Sequence, residues 1–170
     1  MISVVIPTLD SERLLVPTLA ALVPGSAEGL VRDVVLADGG SRDETRKIAD
    51  AAGCEFFAGA ADEGERLAAV AAAARGDWLL FLDPGGILEE GWTREVGAFM
   101  AAASRAAAEQ ERAAAFCLAV EGYGWAPRFT EAAAALRLAL FGAPWPDQGL
   151  LISKRLYRAV GGHTPGPRAH

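Results

Sequence analysis

The chain has 170 residues, 52% of them hydrophobic and 22% charged, with a net charge of −6. That length suits one domain with a packed core, the composition excludes disorder, and the negative charge argues against general nucleic-acid binding. The charge is uneven. No acid follows Asp147, whereas Lys154, Arg155, Arg158 and Arg168 do, so residues 1–147 set 12 of the 16 cations against all 22 acids, a net −10. A basic end of this kind suits phosphates or anionic lipid, or a solvated helix and a loose tail. Cys54 and Cys117 each lie in an apolar run and read as buried thiols, with no zinc spacing or disulfide framework. No signal-like leader opens the sequence and no apolar run reaches the roughly 18 residues of a membrane span, so a cytoplasmic protein is expected.

In chain order, the β-branched run from Ile2 to Ile6 reads as the first strand. Pro7-Thr8-Leu9-Asp10 ends it, and Asp10 or Ser11 caps a helix in which Leu15, Leu19 and Leu22 share a face. Pro17 should kink that helix or restart it, and Pro24-Gly25 should close the unit. A second strand covers Asp33 to Ala37 and ends at Asp38-Gly39-Gly40. Ser41 and Glu44 have capping-box spacing for the next helix, which Gly53 stops. Glu55 to Phe57 is a brief third strand, and an alanine-rich helix fills about Glu63 to Ala74.

Trp78 to Leu82 are five consecutive apolar residues between a Gly-Asp turn and Asp83. So short a run, bounded by turn signals, predicts a strand buried on both faces with Asp83 at its carboxyl end. A loop covers 86–91 and a long helix about Trp92 to Arg112. A strand is expected at Phe116–Val120 and an amphipathic helix at Phe129–Phe141. Gly149 to Ser153 reads as the last strand, followed by a short helix to Val160, the turn Gly161-Gly162-His163 and a frayed tail over 164–170. Strand–helix alternation predicts an α/β fold with a mostly parallel sheet flanked by helices. Thr8, Asp38 and Asp83 each close a strand and therefore share one rim, where such sheets bind ligands.

The sequence excludes several chemistries. No G-x-G-x-x-G follows the first strand, no P-loop signature occurs, and no G-x-S-x-G elbow is present. His163 and His170 have no neighbouring acid for a triad.

Four segments carry a family resemblance: Val4-Val5-Ile6-Pro7-Thr8-Leu9-Asp10, Ala37-Asp38-Gly39-Gly40-Ser41-Arg42-Asp43-Glu44-Thr45, Ala74 through Asp83, and Asp147-Gln148-Gly149 with Gly161-Gly162. In order and spacing they resemble a bacterial family-two glycosyltransferase of the GT-A fold, over about residues 2–163. The resemblance implies a single GT-A-like domain over 1–163 with a tail at 164–170, and transfer of a sugar, of the hexosyltransferase type, from a UDP- or GDP-linked donor to an unknown acceptor. It implies that Pro7, Thr8 and Leu9 lie against the nucleotide base and that Asp38 accepts a hydrogen bond from a base N–H. Asp83 would stand as the first acid of a metal-binding D-x-D, holding Mg²⁺ or Mn²⁺ with the diphosphate. Arg66 falls where the family keeps polar residues around the diphosphate, although its helix position reads as a surface arginine.

Three departures from the family pattern bear on chemistry. Gly85 replaces the second metal acid, so the D-x-D is degenerate; Ala68 replaces an Asn; and no acid follows Gly161-Gly162 to serve as base. Asp147 is the first substitute base, Glu121 the second and His163 the third. The alternative is a catalytically degenerate relative that acts as a nucleotide-binding or protein-interaction module. The 129–141 helix, rich in Leu136, Leu138, Leu140 and Phe141, reads as core or as a peripheral membrane contact at the inner membrane surface. Trp125 and Trp145 read as packing residues or as an acceptor-stacking surface.

Overall fold

The computed structural model describes residues 1–105, 113–116 and 149–166. Its elements are β1 (Ile2–Thr8), α1 (Glu12–Ala27), β2 (Val31–Asp38), α2 (Thr45–Ala51), β3 (Glu55–Ala58), α3 (Glu63–Ala73), β4 (Trp78–Phe81), α4 (Trp92–Arg105), β5 (Ala113–Ala115), β6 (Leu150–Ser153) and α5 (Lys154–Ala159). The strands form one sheet in the order β3-β2-β1-β4-β6-β5. The first four are parallel, and β6 runs antiparallel to both β4 and β5.

Both faces of the sheet are covered. Val4, Ile6, Leu36, Trp78 and Leu80 pack on one side with Leu15 and Leu22 of α1 and with Trp92 of α4. Val5, Val35, Leu79 and Phe81 pack on the other with Leu67 and Val70 of α3 and Tyr157 of α5. Adjacent strand residues thus enter opposite cores, which is why β1 and β4 read as continuous apolar runs.

The chain steps outward from β1 to β2 to β3, then returns across to place β4 on the far side of β1. A crevice therefore lies beyond the carboxyl ends of β1 and β4, where the strand order reverses. Pro7 opens it. The Val5 carbonyl accepts from the Leu82 N–H at 3.1 Å, so odd-numbered residues of β1 face β4. The next donor aimed at β4 would be the N–H of residue 7, which proline lacks. Pairing with β4 accordingly stops at Val5, while pairing with β2 continues to Thr8.

Several local expectations are corrected. Pro24-Gly25 does not close the first helix, which runs to Ala27. Gly25 stays helical because the Trp92 ring packs against it: a Cβ there would stand 2.6 Å from that ring. The helix ends instead at Gly29, φ 71°, with Leu30 N–H bonded to Gly25 O and Gly29 N–H to Ser26 O, the Schellman arrangement. Ser11 is the N-cap residue of α1 but its side chain caps nothing. The Asp43 carboxylate accepts from the Glu12 N–H in its place.

The Ser41–Glu44 capping box does not form either. Glu44 is the N-cap residue of α2 but its carboxylate pairs with Lys47 and makes no cap bond, and Ser41 is committed elsewhere. A strand forms at Ala113–Ala115, and of the strand expected at Phe116–Val120 only Phe116, just past it, is among the described residues. Residues 117–120, the 129–141 helix, Cys117, Trp125 and Trp145 are outside the described residues.

The tail is not frayed at its start. The Gly166 N–H donates to Asp62 Oδ2 at 3.0 Å. The N-terminus of α3 is capped by the other oxygen of the same carboxylate, which accepts from Glu65 N–H.

Candidate functional site

Asp38 organises the rim. It ends β2, is 3% exposed, and accepts four hydrogen bonds. Oδ2 takes the Gly40 and Ser41 N–H groups, both at 2.8 Å. Oδ1 takes the Thr8 hydroxyl at 3.0 Å and the Ser41 hydroxyl at 2.5 Å. A carboxylate offers about four acceptor positions, so this one is filled. Burial by itself would raise its pKa from 3.8, but the bonds from Ser41, Gly40 and Thr8 outweigh it and hold the group below that value. The turn is legible in hindsight: Asp followed by Gly-Gly-Ser lets the side chain bond its own downstream backbone.

A second set of bonds ties this turn to the start of α1. Ser41 Oγ also accepts from Asp10 N–H, Asp10 Oδ1 accepts from Arg42 N–H, and Thr45 Oγ1 accepts from Ser11 N–H. Asp10 adopts φ 48° to make this connection. Asp43 receives N–H bonds from both Glu12 and Thr45. The β1–α1 and β2–α2 loops are therefore one bonded unit flanking the crevice. This also explains the failed caps: Asp43, 31 residues away, takes the Glu12 N–H while the Ser11 hydroxyl turns back to Leu9, and the Ser41 side chain bonds Asp38 and Asp10.

Arg66 is not the surface residue its helix position suggested. It is 5% exposed. Its Nη1 donates to the carbonyls of Ala60 at 2.8 Å and Ala61 at 2.7 Å, while Nη2 lies 3.0 Å from where a Cβ on Gly39 would stand. Gly39 thus lacks a side chain at the point where the guanidinium crosses the end of β2, beside Asp38. Nε is buried without a hydrogen-bond partner. A cation held by carbonyls keeps its positive charge at the rim, and a buried unpaired donor is costly unless something arrives to accept it.

Pro7 and Thr8 are buried at the end of β1, while Leu9, next in line, is 62% exposed at the mouth. Asp83 lies two residues beyond β4 and is half-buried. With β1 between β2 and β4, the ends carrying Asp38 and Asp83 stand two strand spacings apart, about 10 Å, on the same rim. Gly85 adopts φ 91° and donates its N–H to Thr18 Oγ1 at 2.8 Å. Thr18 is fully buried in α1 and anchors the loop after Asp83, a role nothing in the sequence marked.

Ala68 lies elsewhere. With Ala71, Ala72, Tyr157 and Arg158 it lines an open hollow of about 260 Å³ between α3 and α5, whose lining includes neither Asp38 nor Asp83. Asp147 and Glu121 are outside the described residues. Among the described residues no group of three or more His, Cys, Asp or Glu is placed to hold a metal ion.

A bonded loop pair flanks the β1–β4 switch point, with the Asp38 carboxylate ending β2 and the Arg66 guanidinium packed against the next residue, Gly39, at the edge where open α/β sheets take their ligands. The sequence pattern described as glycosyl transferase family 2 matches residues 3–133, and the chain belongs to that family. No curated protein matches the chain. Among solved structures it is similar to glucosyl-3-phosphoglycerate synthase from Mycobacterium tuberculosis in complex with phosphoglyceric acid, at 23% identity and TM-score 0.59, covering 91% of this chain and 57% of that one. A complex of that enzyme with Mn²⁺, UDP and glucosyl-3-phosphoglycerate gives 23% identity, TM-score 0.57 and the same coverage. A further mycobacterial protein matches at 24% identity and TM-score 0.66, covering 98% of this chain and 57% of that one. The fold is GT-A, and the chain spans 57% of the length of these structures.

Proposed function

We propose that this chain binds a nucleotide-sugar at the β1–β4 crevice and serves sugar transfer to an acceptor, as a hexosyltransferase-type enzyme whose GT-A-like unit covers 1–163. The observation that carries this reading is the Asp38–Arg66 pair at the rim of a family-two chain. One member is an acceptor, and the other is a buried cation with a spare N–H. An acceptor beside a donor suits a base that presents an N–H next to a carbonyl, as uracil and guanine do, and a cation suits the phosphates. UDP is the first candidate, because similar structures hold UDP.

In this reading the exposed Leu9 side chain packs against the base. Asp38 takes the base N–H when one of its two rotatable donors, the Thr8 or the Ser41 hydroxyl, turns away. Arg66 faces the nucleotide from beneath Gly39. For a divalent ion the described residues supply one carboxylate, Asp83, and no ready-made cluster. That fits Mg²⁺ or Mn²⁺ held jointly by one carboxylate, the diphosphate and water. Such an ion would neutralise charge on the leaving nucleotide. Asp147, or failing it Glu121, takes the acceptor proton.

No described helix is long and apolar enough to cross a membrane. A cytoplasmic location remains our reading, with the 129–141 segment as core and, as the alternative, a peripheral contact at the inner membrane surface. Calorimetric titration with UDP, GDP and their sugar conjugates, with and without Mn²⁺, tests the proposal. It expects binding of at least one nucleoside diphosphate, tightened by the ion. Binding of none would leave the interaction-module alternative.

A further inference from the structure

Gly161-Gly162 turns the chain back over α5, and both residues need left-handed backbone, at φ 91° and 63°. The turn runs so close to Tyr157 that a Cβ on Gly162 would stand 2.8 Å from its ring. The consequence is a clasp. The His163 N–H donates to Tyr157 Oη at 3.0 Å, and His163 Nδ1 lies 2.9 Å from the same oxygen. Oη accepts the backbone N–H, and with the ring neutral and its hydrogen on Nε2 the phenol proton donates to Nδ1, so that all three groups are paired. The ring also sits edge-on to Phe81, with centroids 4.6 Å apart.

From that clasp the chain crosses to the N-terminus of α3. Thr164 O lies so close over Gly64 that a Cβ there would overlap it, and Gly166 N–H reaches Asp62 Oδ2. The segment is thus fastened at two points, His163 on Tyr157 and Gly166 on Asp62, the N-cap residue of α3 four positions before Arg66.

We propose that His163–Gly166 is a pH-operated strap, closed on the first turn of α3 while His163 is neutral and released when His163 takes a proton. A proton on Nδ1 would turn that atom from acceptor to donor. Tyr157 Oη would then face two donors, with no acceptor for its own hydrogen. It would also place a charge between the Phe81 and Tyr157 rings. Three elements face the imidazole. From α5 the titratable group is Tyr157, itself pushed up by burial. From α3 it is the Glu63 carboxylate, which favours the charged ring, and β4 contributes only the Phe81 ring. Burial is the larger influence and holds His163 below its ordinary 6.5.

The sign follows. Above 6.5 the ring is neutral in the open and closed states alike, and closure is complete. As pH falls below 6.5 towards the lowered value, the open state binds the proton first and closure weakens, by up to about tenfold per pH unit.

Amide hydrogen exchange on the full chain, corrected for intrinsic rates, tests this alongside an NMR titration of His163. The expected result is joint loss of protection at His163 and Gly166 as pH falls below 6.5, in step with the imidazole titration. His163→Gln should abolish the pH step, and Gly64→Ala should leave Gly166 unprotected at every pH. Flat Gly166 protection through the His163 titration, or a step that persists in His163→Gln, overturns the proposal. Neither readout involves a nucleotide, so the result stands apart from the fate of the donor-site reading.

Discussion

Removing the Asp38 carboxylate should unfasten the rim, and the bond pattern gives the magnitude. Asp38→Ala strands four donors: two N–H groups, of Gly40 and Ser41, and two hydroxyls, of Thr8 and Ser41. A hydrogen bond to a charged group contributes about 1.5–3 kcal/mol, while a donor that reaches water recovers most of its share. Gly40 and Ser41 lie in a partly exposed turn and recover, whereas Thr8 is 2% exposed and does not. The expected loss is therefore about 3–4 kcal/mol, well below the sum of four charged bonds. Asp38→Asn should lose only about 1–2 kcal/mol, because the amide oxygen can take the two N–H groups and the hydroxyls can rotate to accept. Urea unfolding at neutral pH measures both. The gap between wild type and Asp38→Ala should be constant above pH 3.8, the ordinary value, and narrow as pH falls through the lowered one. An Asp38→Ala protein within about 0.5 kcal/mol of wild type, or a gap that widens in acid, would refute this account of the rim.

Arg66→Met keeps the apolar stem and removes the cation, so nucleoside diphosphate affinity should fall by about 10–100-fold by calorimetry, with stability changing by less than about 2 kcal/mol; unchanged affinity removes Arg66 from the site. Gly85 has room for a side chain, since Leu14 stands 3.5 Å from its Cβ position, but its φ of 91° does not suit one. Gly85→Ala and Gly85→Asp should therefore lose stability alike, about 1–3 kcal/mol in denaturant unfolding, and a fully tolerated alanine would contradict that. Asp147→Asn should reduce sugar transfer at least about 10²-fold with donor binding unchanged, and retained transfer would eliminate Asp147 as base.

What the sequence made legible follows from which forces act locally. Trp78–Leu82 announced β4 because a strand covered on both faces must be apolar throughout, and all four β4 residues are buried. The shared rim followed from strand–helix alternation alone. Caps were misread because a serine hydroxyl bonds whichever partner the fold brings near; Ser41 donates to Asp38 Oδ1 and accepts from Asp10 N–H, and does not cap its own helix. Pro24-Gly25 looked like a stop, yet Gly25 is there for Trp92, 67 positions away in sequence. Arg66 looked solvent-exposed because helix periodicity cannot show that the β2 and β3 ends close over that face. The role of Thr18 in holding Gly85 was equally hidden, since one threonine on a helix carries no pattern.

Mapping UDP onto the protein by backbone amide chemical shifts, in the presence of diamagnetic Mg²⁺, tests the central claim most directly. The account expects the largest shifts at Leu9, Gly39, Gly40, Ser41 and Arg66, around the β1–β4 crevice. Shifts gathered instead at Ala68, Ala72 and Arg158, in the hollow between α3 and α5, or no shifts at all, would contradict it.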